Sequence, residues 1–367
     1  TSKSWPQGQN PGSVTVPITL DHNRIIIPLT VSLPGGKVRR VKAWIDNGTP
    51  VMSITRHLVD EIGSKPKINI GEISFSLDPS LEIENEATVA RGVDAEISLP
   101  STFLKNYDII IDYPGRKFTI GSLGSVHFEG IAVKGFFNPK NSLIQLPAEV
   151  DAKQFNLALD IGTPVSFVSK DLIVNWKKTH PSWPTAKGAV GIANLWGLDD
   201  EPDWQLIRLQ RMQYGGIEFP GPVAVTFPQG RMDYFEKRAG IATAGLFGAA
   251  SMLNYRIGID YLHKTVYFKQ ISKPVKVKMN LVGLTLRPEA SKDYTVLGVS
   301  SYNGQLSVTD VSKGDTLKKI NNTEVFGLTM GEIWFLLQGN PGAKYKLTII
   351  RKDKKIIVNA KAYDFLK

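Results

Sequence analysis

Apolar and polar residues alternate in short runs along most of the chain, the period-two pattern of half-buried strands. Ile25 to Leu33 and Val38 to Ile45 read this way, as do Phe155 to Leu159, Asp108 to Asp112 and Lys117 to Ile120, the last two joined by the Pro114-Gly115 turn. Two segments, Thr55 to Ile62 and Ser169 to Trp176, start like strands and pass into short helices. Nearer the C-terminus the pattern predicts strands at Leu281 to Leu286, Tyr294 to Val299, Thr316 to Ile320, Lys346 to Ile350 and Lys355 to Ala360. An amphipathic helix fits Met330 to Leu337, stopped by Gly339-Asn-Pro341. The chain is therefore expected to be mostly β, in small closed or orthogonally packed sheets.

The strands are organised by a repeat. Trp44-Ile-Asp-Asn-Gly-Thr-Pro-Val51 is echoed by Ala158-Leu-Asp-Ile-Gly-Thr-Pro-Val165, at an offset of 160 − 46 = 114. Asn106-Tyr-Asp-Ile-Ile-Ile-Asp-Tyr113 is echoed by Asn254-Tyr-Arg-Ile-Gly-Ile-Asp-Tyr261, at an offset of 254 − 106 = 148. Two motif pairs in the same order indicate duplication, and the difference between the offsets gives the second copy 34 extra residues. The expected units are an N-terminal extension (1–13), a first lobe (14–125), a second lobe (126–270) and a C-terminal domain (271–367) entered through the linker Ile271-Ser-Lys-Pro274. That linker predicts a separable final unit.

In each copy an apolar strand ends in Asp-x-Gly-Thr, which sets a carboxylate on a tight turn where backbone amides can approach it. Pseudo-twofold packing of two such turns would bring Asp46 and Asp160 face to face. Carboxylates about 3 Å apart do not readily both ionise; they share a proton and hold a water between them. Such a pair can add water to an amide carbonyl.

On these residues each copy resembles a lobe of the retropepsin-like aspartic peptidases, and the tandem arrangement is similar to pepsin. The resemblance covers roughly Val14 to Gln270. It implies catalytic roles for Asp46 and Asp160, with Gly48 and Gly162 as the motif glycines and Thr49 and Thr163 as hydroxyls able to hydrogen-bond the carboxylates. Leu246-Phe247-Gly248 matches the family's later apolar-apolar-Gly element. The chain departs from the pattern at Asn47 and Ile161, where the family has a Thr or Ser whose hydroxyl cross-links the lobes, and at Ser98-Leu99-Pro100, which faces the apolar-apolar-Gly element in the first copy. The Gly-punctuated segment Gly188 to Gly197 reads either as a flap over the cleft, with Gly191 permitting opening and Trp196 touching substrate, or as an ordinary hairpin.

The C-terminal part resembles a PDZ domain. Gly283-Leu284-Thr285-Leu286 is similar to its carboxylate-binding loop, and Gly314-Asp-Thr-Leu-Lys-Lys-Ile-Asn-Asn322 to its Gly-Asp segment. The resemblance implies that a peptide or protein C-terminus adds as a strand beside Leu284 to Leu286, against the Met330 to Leu337 helix. The expected fold is two tandem retropepsin-like acid-protease lobes plus a PDZ-like β/α domain.

Composition narrows the chemistry. A content of 42% hydrophobic and 21% charged residues is that of a globular protein. With no cysteine, a thiol nucleophile, Cys-ligated zinc and disulfides are excluded, and five scattered histidines give no metal motif, so no cofactor or metal is expected. Residues 271–367 hold 16 Lys and Arg against 8 Asp and Glu, most of the chain's net +10. These lysines alternate with apolar residues as on exposed strands, without the interleaved aromatics of a nucleic-acid platform. No apolar run spans a bilayer. The polar start, Thr1 to Gly12, carries no signal core, although a removed signal peptide would leave such a start, and the resemblance implies a periplasmic or secreted location. Asn47-Gly-Thr49 and Asn321-Asn-Thr323 match the N-glycosylation pattern by coincidence.

The function expected is an aspartic endopeptidase acting on polypeptide, with its active site assembled within one chain. The alternatives are a catalytically inactive peptide-binding protein on the same fold, and a PDZ-anchored scaffold that needs neither carboxylate.

Overall fold

The structure is a computed structural model that describes residues 12–62, 67–77, 82–84, 92–227 and 229–367. Its elements are mostly strands, and three sheets place the candidate site.

A six-stranded sheet joins the two copies, in the order Ser13–Pro17, Lys117–Ser122, Tyr107–Asp112, Tyr255–Asp260, Thr265–Gln270, Ile131–Lys134. At its centre the two copies of the second motif pair antiparallel, with Ile109 opposite Ile259, Ile110 opposite Gly258 and Ile111 opposite Ile257. Gly258 is the repeat counterpart of Ile110, at the same offset of 148, so the pseudo-twofold axis passes through that pair. The duplication is thereby converted into symmetry. Ile109, Ile111, Ile257 and Ile259 are fully buried beneath it, a driving force of roughly 2 kcal/mol per side chain.

Each copy builds its own sheet above this base. In the first, Val38–Asp46 runs parallel to Ile97–Pro100, which runs antiparallel to Ser53–Thr55. In the second, Lys153–Asp160 runs parallel to Gly245–Gly248, which runs antiparallel to Ser166–Val168. The chain thus leaves each aspartate, doubles back as a short strand, and later threads a third strand between the two. Thr55 to Ile62 does pass from strand to helix, with the helix at Arg56–Ile62, and Ser169 caps a helix at Lys170–Thr179 by accepting the Leu172 N–H.

The C-terminal sheet has the order Leu284–Pro288, Tyr294–Val299, Thr316–Ile320, Lys344–Arg351, Lys354–Lys361. Helix Met330–Leu337 packs on it and starts with a capping box between Thr329 and Glu332. Its flanks pack into the second lobe. Met279, Leu281, Phe365 and Leu366 share one apolar cluster with Phe167, Leu206 and Phe227 of that lobe. Buried Arg208 donates to the carbonyls of Leu366 (3.0 Å) and Val277 (2.7 Å). The exposed stretch around Lys273-Pro274 is a linker only in the local sense. Among the described residues no helix is long and apolar enough to cross a membrane.

Candidate active site

Asp46 and Asp160 are the last residues of equivalent strands, in register with Pro100 and Gly248 respectively. Each carboxylate is held by its own turn. Asp46 Oδ1 accepts the Gly48 N–H (3.1 Å), and Asp160 Oδ1 accepts those of Gly162 (2.8 Å) and Thr163 (3.1 Å). The two turns also face each other. A Cβ on Gly48 would lie 2.1 Å from Asp160 Oδ2, and one on Gly162 would lie 2.3 Å from Asp46 Oδ1. Glycine at both positions is therefore a condition for bringing the carboxylates together, because any side chain would collide with the opposing acid.

Burial and mutual repulsion set the electrostatics. Asp160 is 4% exposed and Asp46 9%. Loss of water and then the charge of Asp46 raise the Asp160 carboxyl well above the usual carboxylate range, against the two N–H bonds that favour its ionised form. Burial raises the phenols of Tyr113 and Tyr214, and the nearby Asp160 carboxylate adds to the effect.

The departures from the family pattern turn out differently from one another. Asn47 is fully buried, and its carboxamide crosses to the other copy, donating to the Leu159 carbonyl (2.8 Å) and accepting the Ile161 N–H (2.8 Å). One amide thus supplies both the donor and the acceptor of an interlobe cross-link, directly beside both aspartates. Ile161 contributes its backbone N–H to this link and buries its side chain in the core. Full burial also closes Asn47 to any glycan. Pro100 stands where Gly248 stands in the second copy, with no N–H to match the one Gly248 donates to Ser166 Oγ.

The threonine hydroxyls hold the turns. Thr163 Oγ1 donates to the Val165 carbonyl and Thr49 Oγ1 accepts the Val51 N–H. It is the Thr163 backbone that reaches Asp160.

Gly191 and Trp196 lie elsewhere. Strands Thr185–Lys187 and Gln205–Arg208 pair as a hairpin whose tip, residues 188–204, packs against the C-terminal domain. Gly191 is buried, and Trp196 sits among Phe167, Trp204 and Phe227 with the Arg231 guanidinium 4.6 Å above its ring. An opening flap is not what these residues form; their apolar surface is spent on packing. Thr285 and Leu286 line the other side of that contact and are buried, as is Leu284, whereas Gly283 packs on Phe365 and Ser307. Thr285 Oγ1 donates to the Ala189 carbonyl, and Leu286 is bonded to Asn194.

Sequence reasoning passed over four residues that organise the surroundings. His22 Nε2 donates to the Gly191 carbonyl (2.9 Å), and burial together with the Arg24 charge lowers its pKa to about 3, keeping the ring neutral. Asn23 donates to the Pro164 carbonyl, just past the Asp160 turn. Asn194 and Glu201 hold the hairpin tip: the buried Glu201 carboxylate accepts the N–H groups of Trp196 and Leu198 and of the Asn194 amide, and desolvation raises its pKa to about 7. A cavity of about 750 Å³ lies between His22, Asn23 and Tyr113 on one side and Thr329, Trp334 and Phe335 on the other; neither aspartate lines it.

No family model matches the chain, and no curated protein matches it. Among solved structures, an aspartic proteinase from Irpex lacteus is similar over 71% of this chain and 98% of its own, at a TM-score of 0.42 and 11% sequence identity.

Proposed function

We propose that this protein is an aspartic endopeptidase in which Asp46 and Asp160 activate one water against a peptide carbonyl. The observation that carries the reading is the reciprocal packing of Gly48 on Asp160 and Gly162 on Asp46, which lets each turn approach the opposing carboxylate as no residue with a Cβ could. With the shared proton on Asp160, the Asp46 carboxylate takes a proton from water as its oxygen bonds to the carbonyl carbon. Asp160 gives its proton to the carbonyl oxygen, forming a neutral gem-diol. Collapse of that intermediate returns one hydroxyl proton to an aspartate while the proton gained by Asp46 moves to the leaving nitrogen. The C–N bond breaks and the dyad regains a single proton. The interlobe link through Asn47 holds the two turns in register for this exchange.

In the same reading the C-terminal domain is PDZ-like, with edge strand Leu284–Pro288 and helix Met330–Leu337 forming a groove for an extended peptide. Cleavage of an unstructured polypeptide is measured across acidic and neutral pH, with and without a statine transition-state mimic. Hydrolysis that the mimic blocks and that Asp160→Asn abolishes is expected. Hydrolysis unchanged in Asp160→Asn sinks the mechanism, and absence of hydrolysis at every pH leaves a peptide-binding protein on this fold.

A further inference from the structure

The groove between Leu284–Pro288 and Met330–Leu337 is already filled. Among the described residues Leu284–Pro288 is an edge strand, paired with Tyr294–Val299. On its open side the Asn194 carboxamide accepts the Leu286 N–H (2.8 Å) and donates to the Leu286 carbonyl (2.8 Å). Those are the two bonds that a residue of an added strand would make. Toward the helix, Gly191 sits so close that a Cβ would lie 2.7 Å from the Trp334 indole nitrogen, and Gly197 packs likewise on Arg287. Beyond it, the Asp199 carboxylate reaches Arg287 (3.6 Å) and Lys313 (3.2 Å). Gly188, Gly191 and Gly197 all have positive φ, so the glycine spacing shapes this tip to the groove.

We propose that residues 188–199 are an intramolecular occupant of a peptide site in the C-terminal domain, and that the external ligand is an extended acidic peptide which displaces them. The proposal rests on the PDZ-like reading of that domain and is independent of the aspartate chemistry. The occupant itself specifies the ligand. A strand backbone replaces the Asn194 amide at Leu286, and a side-chain or terminal carboxylate replaces Asp199 at Arg287 and Lys313. The ion pairs are exposed and hold the tip weakly. The tether does more, because a linked segment competes at an effective concentration on the order of millimolar.

Displacement also reaches the dyad. His22 donates to Gly191 in the tip, and the next residue, Asn23, donates to Pro164 beside the Asp160 turn. One hairpin turn, with both residues at positive φ, is therefore gripped at one end by the occupant and at the other by the active-site loop. Release of the tip removes the hydrogen-bond partner of His22 and leaves that turn held by Asn23 on Pro164 and by the Thr329 hydroxyl on Asp21.

The test uses the full chain and, as probe, a labelled synthetic peptide of residues 188–201, Gly-Ala-Val-Gly-Ile-Ala-Asn-Leu-Trp-Gly-Leu-Asp-Asp-Glu. Fluorescence anisotropy compares wild type with Asn194→Ala and with Asp199→Lys, the latter altering an exposed side chain only. Asn194→Ala weakens the tethered occupant and leaves the groove intact, so the probe should bind it at least about tenfold more tightly than wild type. Asp199→Lys should move the same way by a few-fold, and it answers the question if Asn194→Ala does not fold. The probe carrying its own Asn194→Ala change should lose the gain. Equal affinity for wild type and the variants, or no binding to either variant up to about 1 mM, overturns the proposal. Cleavage assays on the same samples keep the readings apart: probe binding without hydrolysis upholds the occupied groove and counts against the peptidase.

Discussion

Replacing Asn47 by Ala tests the link on which the dyad geometry depends. The substitution deletes one donor and one acceptor and strands two buried backbone groups, the Leu159 carbonyl and the Ile161 N–H, both in residues at most 1% exposed. An orphaned buried polar group costs about 1 to 3 kcal/mol, so the pair should cost about 2 to 6 kcal/mol. For domains of this size that is a fall in Tm on the order of 5 to 15 °C. Asn47→Thr offers a hydroxyl that can both donate and accept but is one bond shorter, and should lose about half as much. Asn47→Asp should be worse than Ala, since it puts a carboxylate oxygen against the Leu159 carbonyl and a third carboxyl group beside the singly protonated dyad. Calorimetry gives the melting shift, and hydrogen exchange at the Ile161 amide reports the bond itself. If Asn47→Ala melts within 2 °C of wild type with the Ile161 amide still protected (the shift expected of less than about 1 kcal/mol), the side chain is not the link described here.

Asp46→Asn and Asp160→Asn should each lower the rate of peptide hydrolysis by several orders of magnitude, because the pair can no longer exchange one proton; cleavage of a quenched fluorescent peptide measures this. Since folding raises the Asp160 pKa above 3.8, the native state binds the extra proton and this group's contribution to stability falls as pH rises from about 4. Asp160→Asn should therefore gain stability relative to wild type toward neutral pH, and a difference independent of pH would refute the assignment. Glu201, raised to about 7 from 4.5, follows the same sign: denaturation of wild type against Glu201→Gln should show the wild type losing about 3 kcal/mol relative to the variant between pH 4 and 8. Gly191→Ala forces a Cβ onto the Trp334 ring at φ +56°, and should speed proteolysis at the tip of residues 188–204; an unchanged digestion rate contradicts the docked position. Because Asp46 and Asp160 lie in one chain, activity per molecule should stay constant on dilution, and a rate falling with the square of enzyme concentration would mean that the site is assembled between chains.

The duplication, most of the strands, the Met330–Leu337 helix and the pair of turn-borne aspartates were legible from the chain alone. Each is local: a period of two, a period of 3.6, a Gly two residues after an Asp. The repeat offsets even anticipated the symmetry, since the axis falls on Ile110 and its counterpart Gly258. What tertiary structure decided is partner choice, because a side chain's donors and acceptors are written in the sequence but the groups they meet are brought from far along the chain. Asn47 looked like a lost hydroxyl until Leu159 and Ile161 came within reach of its amide. The glycines of residues 188–197 suggested freedom when read alone, yet positive φ serves equally to fit a segment tightly against a surface, and the surface here is brought from far along the chain, at Leu286 and Trp334. The Lys273-Pro274 stretch marked a break in local pattern and said nothing of Phe365 and Leu366, which return to bury their side chains in the apolar cluster of the second lobe.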